Sequence, residues 1–281
     1  MKKFWKATGI SGAYFVSFLL IQLWISLAAS FFVMASLAGT VNPIMNFGGF
    51  MEAYAEKTTQ SLTGMILASN VVTVLGFWAF FRLREKPFLR EIGLVRTDWQ
   101  NLVLAVLFGI GMCFTIDLVT IFLPIPEEMM EQFADAHGNL WEGNAVLTFL
   151  SVSLAGPVSE EICFRGLCYT RLKQGMRPIW AGLIASIFFG LAHGDPVWFL
   201  VGFLAGTATA WIFEITGSLW TSILVHVVNN SISNLTAYLP ISPVLHLCLI
   251  GLGVVLLIVS GILLYRRNRW VRQEPVLYFP E

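Results

Sequence analysis

Residues 244–265 read VLHLCLIGLGVVLLIVSGILLY, a run that contains one histidine and no Asp, Glu, Lys or Arg. About 20 mainly apolar residues in a helix are enough to cross the hydrocarbon core of a bilayer. Seven further stretches of this kind precede it, at residues 9–37, 62–81, 102–123, 145–172, 179–193, 197–215 and 219–239. The sequence therefore predicts an all-α, polytopic membrane protein with about eight transmembrane helices.

The composition supports this class. Hydrophobic residues make up 57% of the 281-residue chain and charged residues only 12%, and the mean hydropathy is +0.74. Soluble domains carry about 25% charged residues, so this chain lacks the polar surface that water would require. The formal net charge is zero, which gives no indication of a nucleic-acid partner. The four cysteines lie in apolar runs without CxxC spacing and are predicted to be buried free thiols: Cys113, Cys163, Cys168 and Cys248.

Basic residues outside the spans predict the topology. With eight spans, the clusters before the first span and after the second, fourth and eighth all fall on one side; they include Lys2, Lys3, Lys6, Arg82, Arg84, Arg171, Lys173, Arg266, Arg267 and Arg272. The loop between the third and fourth spans is acidic instead, with Glu127, Glu128, Glu131, Asp135 and Glu142. Because loops rich in Lys and Arg stay in the cytoplasm, both termini are predicted to be cytoplasmic. We expect a multi-pass protein of the bacterial cell membrane.

Three of the predicted spans carry polar side chains deep in the membrane, where such groups are costly and usually face a bundle interior or a wet cavity. From the basic end of each helix, at about 1.5 Å per residue, Glu160 lies about 20 Å deep, His193 about 24 Å and Asn230 about 20 Å. His226 lies one turn below Asn230. The helices thus bring these residues to a similar level, which predicts a single buried polar active site.

The acidic pair on the fourth span offers two different roles. Glu161 and Arg165 are spaced i,i+4 and can form an ion pair. Glu160 points about 100° away around the helix and can serve as a general base or acid. His193 can share that task or bind a metal.

Hydrogen-bond donors on the seventh span complete the chemistry. His226 and Asn230 are also spaced i,i+4, and both can donate to a developing oxyanion. Gly156 and Pro157 favour a break in the fourth span just before Glu160, with irregular backbone that is tolerated only where it lines a cavity.

Each of these residues also has a structural interpretation. Glu161 and Arg165 fit a buried structural pair. His193 alone fits a helix-end cap, and Asn230 alone fits a hydrogen bond between helices. Asp117, in the third span, either lines the cavity or pairs with a donor that the sequence does not identify. The remaining candidates are predicted to pack or to have no partner in register: His137, His246, Phe188 and Phe189.

Three short motifs occur in order along the chain. Glu160-Glu161-Ile-Cys-Phe-Arg165 fits EExxxR, Phe189-Gly-Leu-Ala-His193 fits FxxxH, and His226-Val-Val-Asn-Asn230 fits HxxxN. Together they resemble the CPBP (Abi-like) family of intramembrane proteases, named for CAAX proteases and bacteriocin-processing enzymes and related to the Ras-converting CAAX endopeptidase. The resemblance covers residues 145–239. We therefore divide the chain into an N-terminal three-span elaboration (1–143), a protease core (144–240) and a last helix with a cytoplasmic tail (241–281).

The resemblance implies a role for each motif residue. Glu160 and His193 would activate a water, and His226 and Asn230 would form the oxyanion hole. Glu161 joins this predicted catalytic set through its pair with Arg165. The supporting residues are Arg165 and Phe189.

The sequence is compatible with a zinc-dependent and with a metal-free site. A zinc-dependent form would use Glu160, His193 and His226 as three ligands with water as the fourth, the number typical of catalytic zinc. A metal-free form would polarise water with Glu160 and His193 alone. The sequence has no HExxH motif, so the usual zinc-protease helix is absent.

The leading functional hypothesis is an endopeptidase that cleaves a membrane-associated peptide or protein, with the lipid bilayer as its environment. A non-catalytic immunity or scaffold protein of the same fold is the alternative, and a proton-coupled transporter is the third. The substrate stays open among prenylated CAAX targets, bacteriocin leaders, peptide pheromones and self-immunity, and the sequence predicts no oligomeric state.

Overall fold

The computed structural model describes residues 1–40, 44, 46–141 and 144–269. Glu142, Arg272 and the side chain of His137, all considered above, lie outside the described residues. The described chain forms helices and contains no strand. The helices are α1 (Lys2–Leu37), α2 (Phe47–Leu83), α3 (Phe88–Glu91), α4 (Trp99–Phe122), α5 (Glu127–Trp141), α6 (Ala145–Leu172), α7 (Pro178–Leu191), α8 (Pro196–Thr216), α9 (Leu219–Tyr238) and α10 (Pro243–Asn268).

All eight predicted spans are helical. Six of the described helices are long and apolar enough to cross a membrane: α1, α2, α4, α6, α8 and α10. The other two are α7, which has only 14 residues, and α9, which has 20 residues and carries His226 and Asn230. An all-α, multi-pass membrane protein is confirmed, while a total of eight spans stays a prediction for α7 and α9.

Helix α6 differs from the expected break at Gly156 and Pro157. It continues without interruption, but Phe149–Ala155 and Ile162–Tyr169 are π-helical, and the α-helical turn Gly156–Glu161 separates them. The Gly156 N–H bonds to the carbonyl of Ser151, five residues back. In that register the next donor would be Pro157, which has no N–H. A wider helix turn therefore replaces the predicted break, a feature often found at functional sites.

Helix α7 ends earlier than the sequence predicted. It stops at Leu191, so His193 lies in the turn that follows and not in the helix. Gly194 adopts a left-handed φ of +75°, which reverses the chain at little cost because glycine has no Cβ. The Asp195 carboxylate then accepts from the N–H groups of Val197 and Trp198 and starts α8.

Polar contacts join the basic ends of the helices on one side of the bundle. Arg171 pairs with Glu91 at 2.6 Å, and Lys173 pairs with Glu214. Asn101 at the start of α4 and Asn268 at the end of α10 exchange two hydrogen bonds of 3.1 Å. The common side of these ends agrees with the predicted topology; the assignment of that side to the cytoplasm stays a prediction.

The cysteines divide into two groups. Cys113, Cys163 and Cys168 are buried free thiols, as predicted. For Cys248 the prediction was wrong, because this residue lies on the exposed side of α10 beside exposed Leu245 and Leu247. In a membrane that face contacts lipid, and a free thiol behaves there as a small hydrophobic group.

Helices α4 and α10 approach each other closely at two glycines. A Cβ on Gly111 would lie 2.4 Å from the backbone nitrogen of Leu257, and a Cβ on Gly253 would lie 2.6 Å from Cβ of Phe114. Small residues at such crossings allow transmembrane backbones to pack in direct contact.

We therefore expect Gly111→Ala to destabilise the protein. The added methyl would meet backbone that cannot rotate away, and overpacking of this kind costs about 1–3 kcal/mol. Thermal unfolding of the purified protein in detergent should show a lower Tm. Gly251→Ala on α10 is the matched control, because nothing lies within 4 Å of the added Cβ. An equal Tm for the two variants would contradict the importance of this crossing.

Candidate active site

Glu161 is the most enclosed carboxylate of the described chain and is fully buried in α6. Its Oε1 lies 2.8 Å from Arg165 Nη1 and 2.9 Å from His226 Nδ1, and its Oε2 accepts from the Ser222 hydroxyl at 2.6 Å. The Arg165 contact is an ion pair without good hydrogen-bond alignment. A buried charge is stable only when it is compensated in this way. The i,i+4 pair predicted from the sequence is therefore present, and it also holds His226.

Glu160 has a different environment although it is the adjacent residue. Its side chain is 21% exposed, and its Oε2 faces His226 Nε2 at 3.7 Å. That distance exceeds a direct hydrogen bond. His226 thus uses Nδ1 for the buried Glu161 and turns Nε2 towards the more open Glu160. The two carboxylates differ in the way expected for one structural and one reactive group.

His193 is held in a defined tautomer. Its Nδ1 donates to the Phe189 carbonyl at 2.8 Å, because a carbonyl oxygen can only accept. The neutral ring therefore has its lone pair on Nε2. The ring packs edge-on against Phe189, with centroids 4.9 Å apart, and lies nearly parallel to the Trp198 indole at 6.2 Å. Both predicted features, a helix-end contact and a candidate base, are compatible with this arrangement.

Phe189 is the contact that His193, His226 and Arg165 share. The His226 ring lies 5.6 Å from the Phe189 centroid, and the Arg165 guanidinium lies over the ring at 4.5 Å. A Cβ on Gly206 of α8 would come within 3.1 Å of Phe189 and 3.0 Å of Arg165 Nη2. Phe189 therefore supports the site by packing, as the FxxxH motif implied.

Asn230 contacts the irregular part of α6. Its Nδ2 donates to the Val152 carbonyl at 3.0 Å, and its Oδ1 accepts from Asn229 Nδ2. Val152 is the carbonyl that a π-helical bond from Pro157 would have used, so Asn230 satisfies an acceptor that the proline leaves free. The structural interpretation of Asn230 is thus observed, and one amide hydrogen remains for an oxyanion.

Asp117 and His246 lie apart from this cluster. His246 Nε2 is 3.7 Å from Asp117 Oδ2, between α10 and α4, and Phe114 packs against the imidazole. The prediction that His246 has no partner in register was wrong, because the close α4–α10 crossing brings the two residues together. His246 is thus the nearby polar group that the sequence did not identify for Asp117, at a distance longer than a direct hydrogen bond.

The predicted zinc ligands do not form a ligand set. Among the described residues, no group of three or more His, Cys, Asp or Glu side chains is arranged to hold a metal ion. His226 already has Nδ1 on Glu161, and His193 has Nδ1 on Phe189. Each imidazole keeps Nε2 available, so the absence of a three-ligand group among the described residues reflects the spacing of these side chains and not their Nδ1 contacts.

Several contacts of the site were not predicted from the sequence. Ser222 lies one turn before His226 on α9, so an extension of the i,i+4 series would have found it. Trp198 lies beside His193 only because of the turn at Gly194, and Ser159 and Asn70 bond to each other at 2.5 Å across two helices. No pattern in the sequence pairs residues 89 positions apart.

The described fold is that of a multi-pass membrane protein with a buried polar site. Residues 142–232 match the family described as "Type II CAAX prenyl endopeptidase Rce1-like". The resemblance inferred from the three motifs is confirmed for that region, which contains all of the motif residues.

One curated relative matches part of the same chain. The protein named "Putative membrane peptidase YdiL" of Bacillus subtilis (strain 168) is 32% identical over 85 residues, which are 30% of this chain and 35% of the relative. The match thus spans about a third of that protein's length. No solved structure matches the chain. The names of the family and of the relative both refer to a peptidase.

Neutral substitutions at the two adjacent glutamates should separate their roles. Glu161→Gln leaves Arg165 buried without a counter-charge, and loss of one partner of a buried pair costs about 3–5 kcal/mol. The variant should have a clearly lower Tm in detergent. Glu160→Gln is the matched control and should unfold like the wild type, because its carboxylate is partly open. A stable Glu161→Gln protein would contradict the structural role of the pair.

Proposed function

We propose that this chain is an intramembrane endopeptidase that hydrolyses a peptide bond of a membrane-associated peptide or protein. The observation that supports this most strongly is the contrast between two adjacent carboxylates, with Glu161 closed by Arg165, His226 and Ser222 and Glu160 open towards His226 Nε2. Pairs of acids in unequal environments are typical of sites that assign one group to structure and the other to proton transfer.

Water activation falls to Glu160 and His193 in this proposal. The Glu160 carboxylate accepts a proton from the water, whose oxygen attacks the carbonyl carbon of the scissile peptide. The Nε2 lone pair of His193 orients the same water, because Nδ1 is committed to Phe189. The proton then passes to the leaving amine as the C–N bond breaks.

The tetrahedral intermediate carries negative charge on the former carbonyl oxygen. A doubly protonated His226, which donates through Nδ1 to Glu161 and through Nε2 to the oxyanion, and the second amide hydrogen of Asn230 are the proposed donors. Other hydrogen bonds hold both side chains in place: His226 bonds to Glu161, and Asn230 bonds to the Val152 carbonyl. Such preorganised donors need no rearrangement when the charge develops.

Cleavage assays with purified protein test this function. Two substrates are compared: a farnesylated peptide with a C-terminal Cys-aliphatic-aliphatic-X sequence, and the same peptide without the lipid. This pair is chosen because the description of the matched family names a CAAX prenyl endopeptidase. We expect wild-type cleavage and a loss of at least about 100-fold in kcat for Glu160→Gln and for His193→Ala. Phe188→Leu, next to the FxxxH motif, is a packing control that should keep its activity.

Other outcomes have distinct meanings. If the peptide without the lipid is cleaved at the same rate, leader-type peptides would be favoured over prenylated peptides as the substrate class. Full cleavage by Glu160→Gln would contradict the mechanism. A cellular phenotype that survives Glu160→Gln would favour a non-catalytic immunity or scaffold role.

We further propose that the water is activated without zinc, since the described side chains offer no set of three ligands. Purified active protein should contain well below one zinc per chain. Cleavage should persist in 1,10-phenanthroline and should not rise when zinc is added. Stoichiometric zinc that is lost together with activity, and restored with it, would overturn this part of the proposal.

A further inference from the structure

Helix α2 lies outside the matched region and carries a buried polar patch of Ser69, Asn70 and Thr73. The hydroxyls of Ser69 and Thr73 bond within α2, to the carbonyls of Ile66 and Ser69. Asn70 differs, because its side chain reaches α6. The hydroxyl of Ser159, the residue before Glu160, lies 2.5 Å from Asn70 Oδ1.

The Ser159 contact orients the Asn70 amide. A hydroxyl that donates to Oδ1 turns Nδ2 to the opposite side. There, Nδ2 lies 3.7 Å from the point that a Cβ on Gly156 would occupy, and Glu160 Oε1 lies 3.9 Å from the same point. Because Gly156 has no side chain, the amide nitrogen and the carboxylate oxygen border one small gap, and the Ser151 carbonyl oxygen borders it at 3.1 Å from the same point. If the Asn70 amide were flipped, its Oδ1 would face the Glu160 carboxylate. Two oxygen acceptors would then face each other without a hydrogen between them, which is unfavourable.

Glu160 is thereby flanked from two helices. His226 Nε2 of α9 faces Oε2 at 3.7 Å, and Asn70 Nδ2 of α2 borders the gap at Oε1. We infer that Asn70 is a positioning residue that holds Glu160 in its reactive orientation through a hydrogen bond or a shared water in this gap. The inference rests on the proposed function of Glu160 as general base. It also gives the N-terminal segment a direct part in the active site.

A simpler role for Asn70 is to attach α2 to α6 through Ser159. Asn70→Asp separates the two roles, because it keeps the shape and the oxygen that Ser159 contacts but replaces the donor that faces Glu160. The new carboxyl is buried beside Glu160 without a counter-charge, so we expect a Tm moderately below that of the wild type. The folded variant should show a kcat lower by between about tenfold and about 100-fold, as misplaced reacting groups typically cause. KM should stay within about twofold.

Two further variants sharpen the test. Ser69→Ala is the matched control, because it removes a buried hydroxyl one residue away that bonds only within α2. It should keep wild-type kcat. Ser159→Ala should lower kcat by a smaller factor, and its combination with Asn70→Asp should be no worse than Asn70→Asp alone, since both act through the same amide.

A spectroscopic measurement is independent of turnover. Infrared difference spectra of wild type minus Glu160→Gln isolate the carboxyl bands of Glu160. In the Asn70→Asp background these bands should shift, and with Ser69→Ala they should not. A shift without any peptide cleavage by the wild type would reject the proposed function but keep the contact. Cleavage at wild-type kcat by Asn70→Asp, or a raised KM with unchanged kcat, would overturn the positioning role.

Discussion

The buried contact between Glu161, Arg165, His226 and Ser222 is the interaction on which the rest of the site depends. It joins α6 to α9 where both charged groups are fully buried, so that an uncompensated charge would not be solvated. Arg165 neutralises Glu161, and the remaining lone pairs of that carboxylate orient His226 and accept from Ser222. The orientation of Nε2 towards Glu160 is a consequence of this pairing. Phe189 closes the cluster from α7 by covering the guanidinium and both imidazoles.

The irregular helix α6 positions this cluster through its π-helical turns. A π-turn widens the helix and shifts the direction of the residues that follow it. The turn Gly156–Glu161 therefore projects Ser159, Glu160 and Glu161 towards three different neighbours: Asn70, the small gap and His226. Pro157 leaves the Val152 carbonyl without a helical donor, and Asn230 supplies one from α9. The same proline that makes the backbone irregular thus also ties it to the helix with the proposed oxyanion donors.

Much of this arrangement could be predicted from local patterns. The all-α membrane class followed from hydropathy, because apolar runs of about 20 residues cross a bilayer as helices that satisfy their own backbone. The Glu161–Arg165 pair followed from i,i+4 spacing, which is a property of one helix. The end of α7 before His193 was missed, since a left-handed glycine and the Asp195 cap outweighed a continuous apolar run. The Asp117–His246 pair was missed because it depends on how closely α4 and α10 cross at Gly111 and Gly253.

The sequence by itself determined that this chain is a membrane protein. It also determined that the glutamates, histidines and asparagine of the motifs lie at a similar depth along their helices. Those properties depend on side-chain chemistry and rise per residue, which are local. Only the tertiary structure decided that Glu161 is closed while Glu160 stays open. It likewise decided that His226 faces both carboxylates and that Asn70 of α2 borders the same gap. These features depend on helix rotation and crossing distance, which the local pattern of a single helix does not specify.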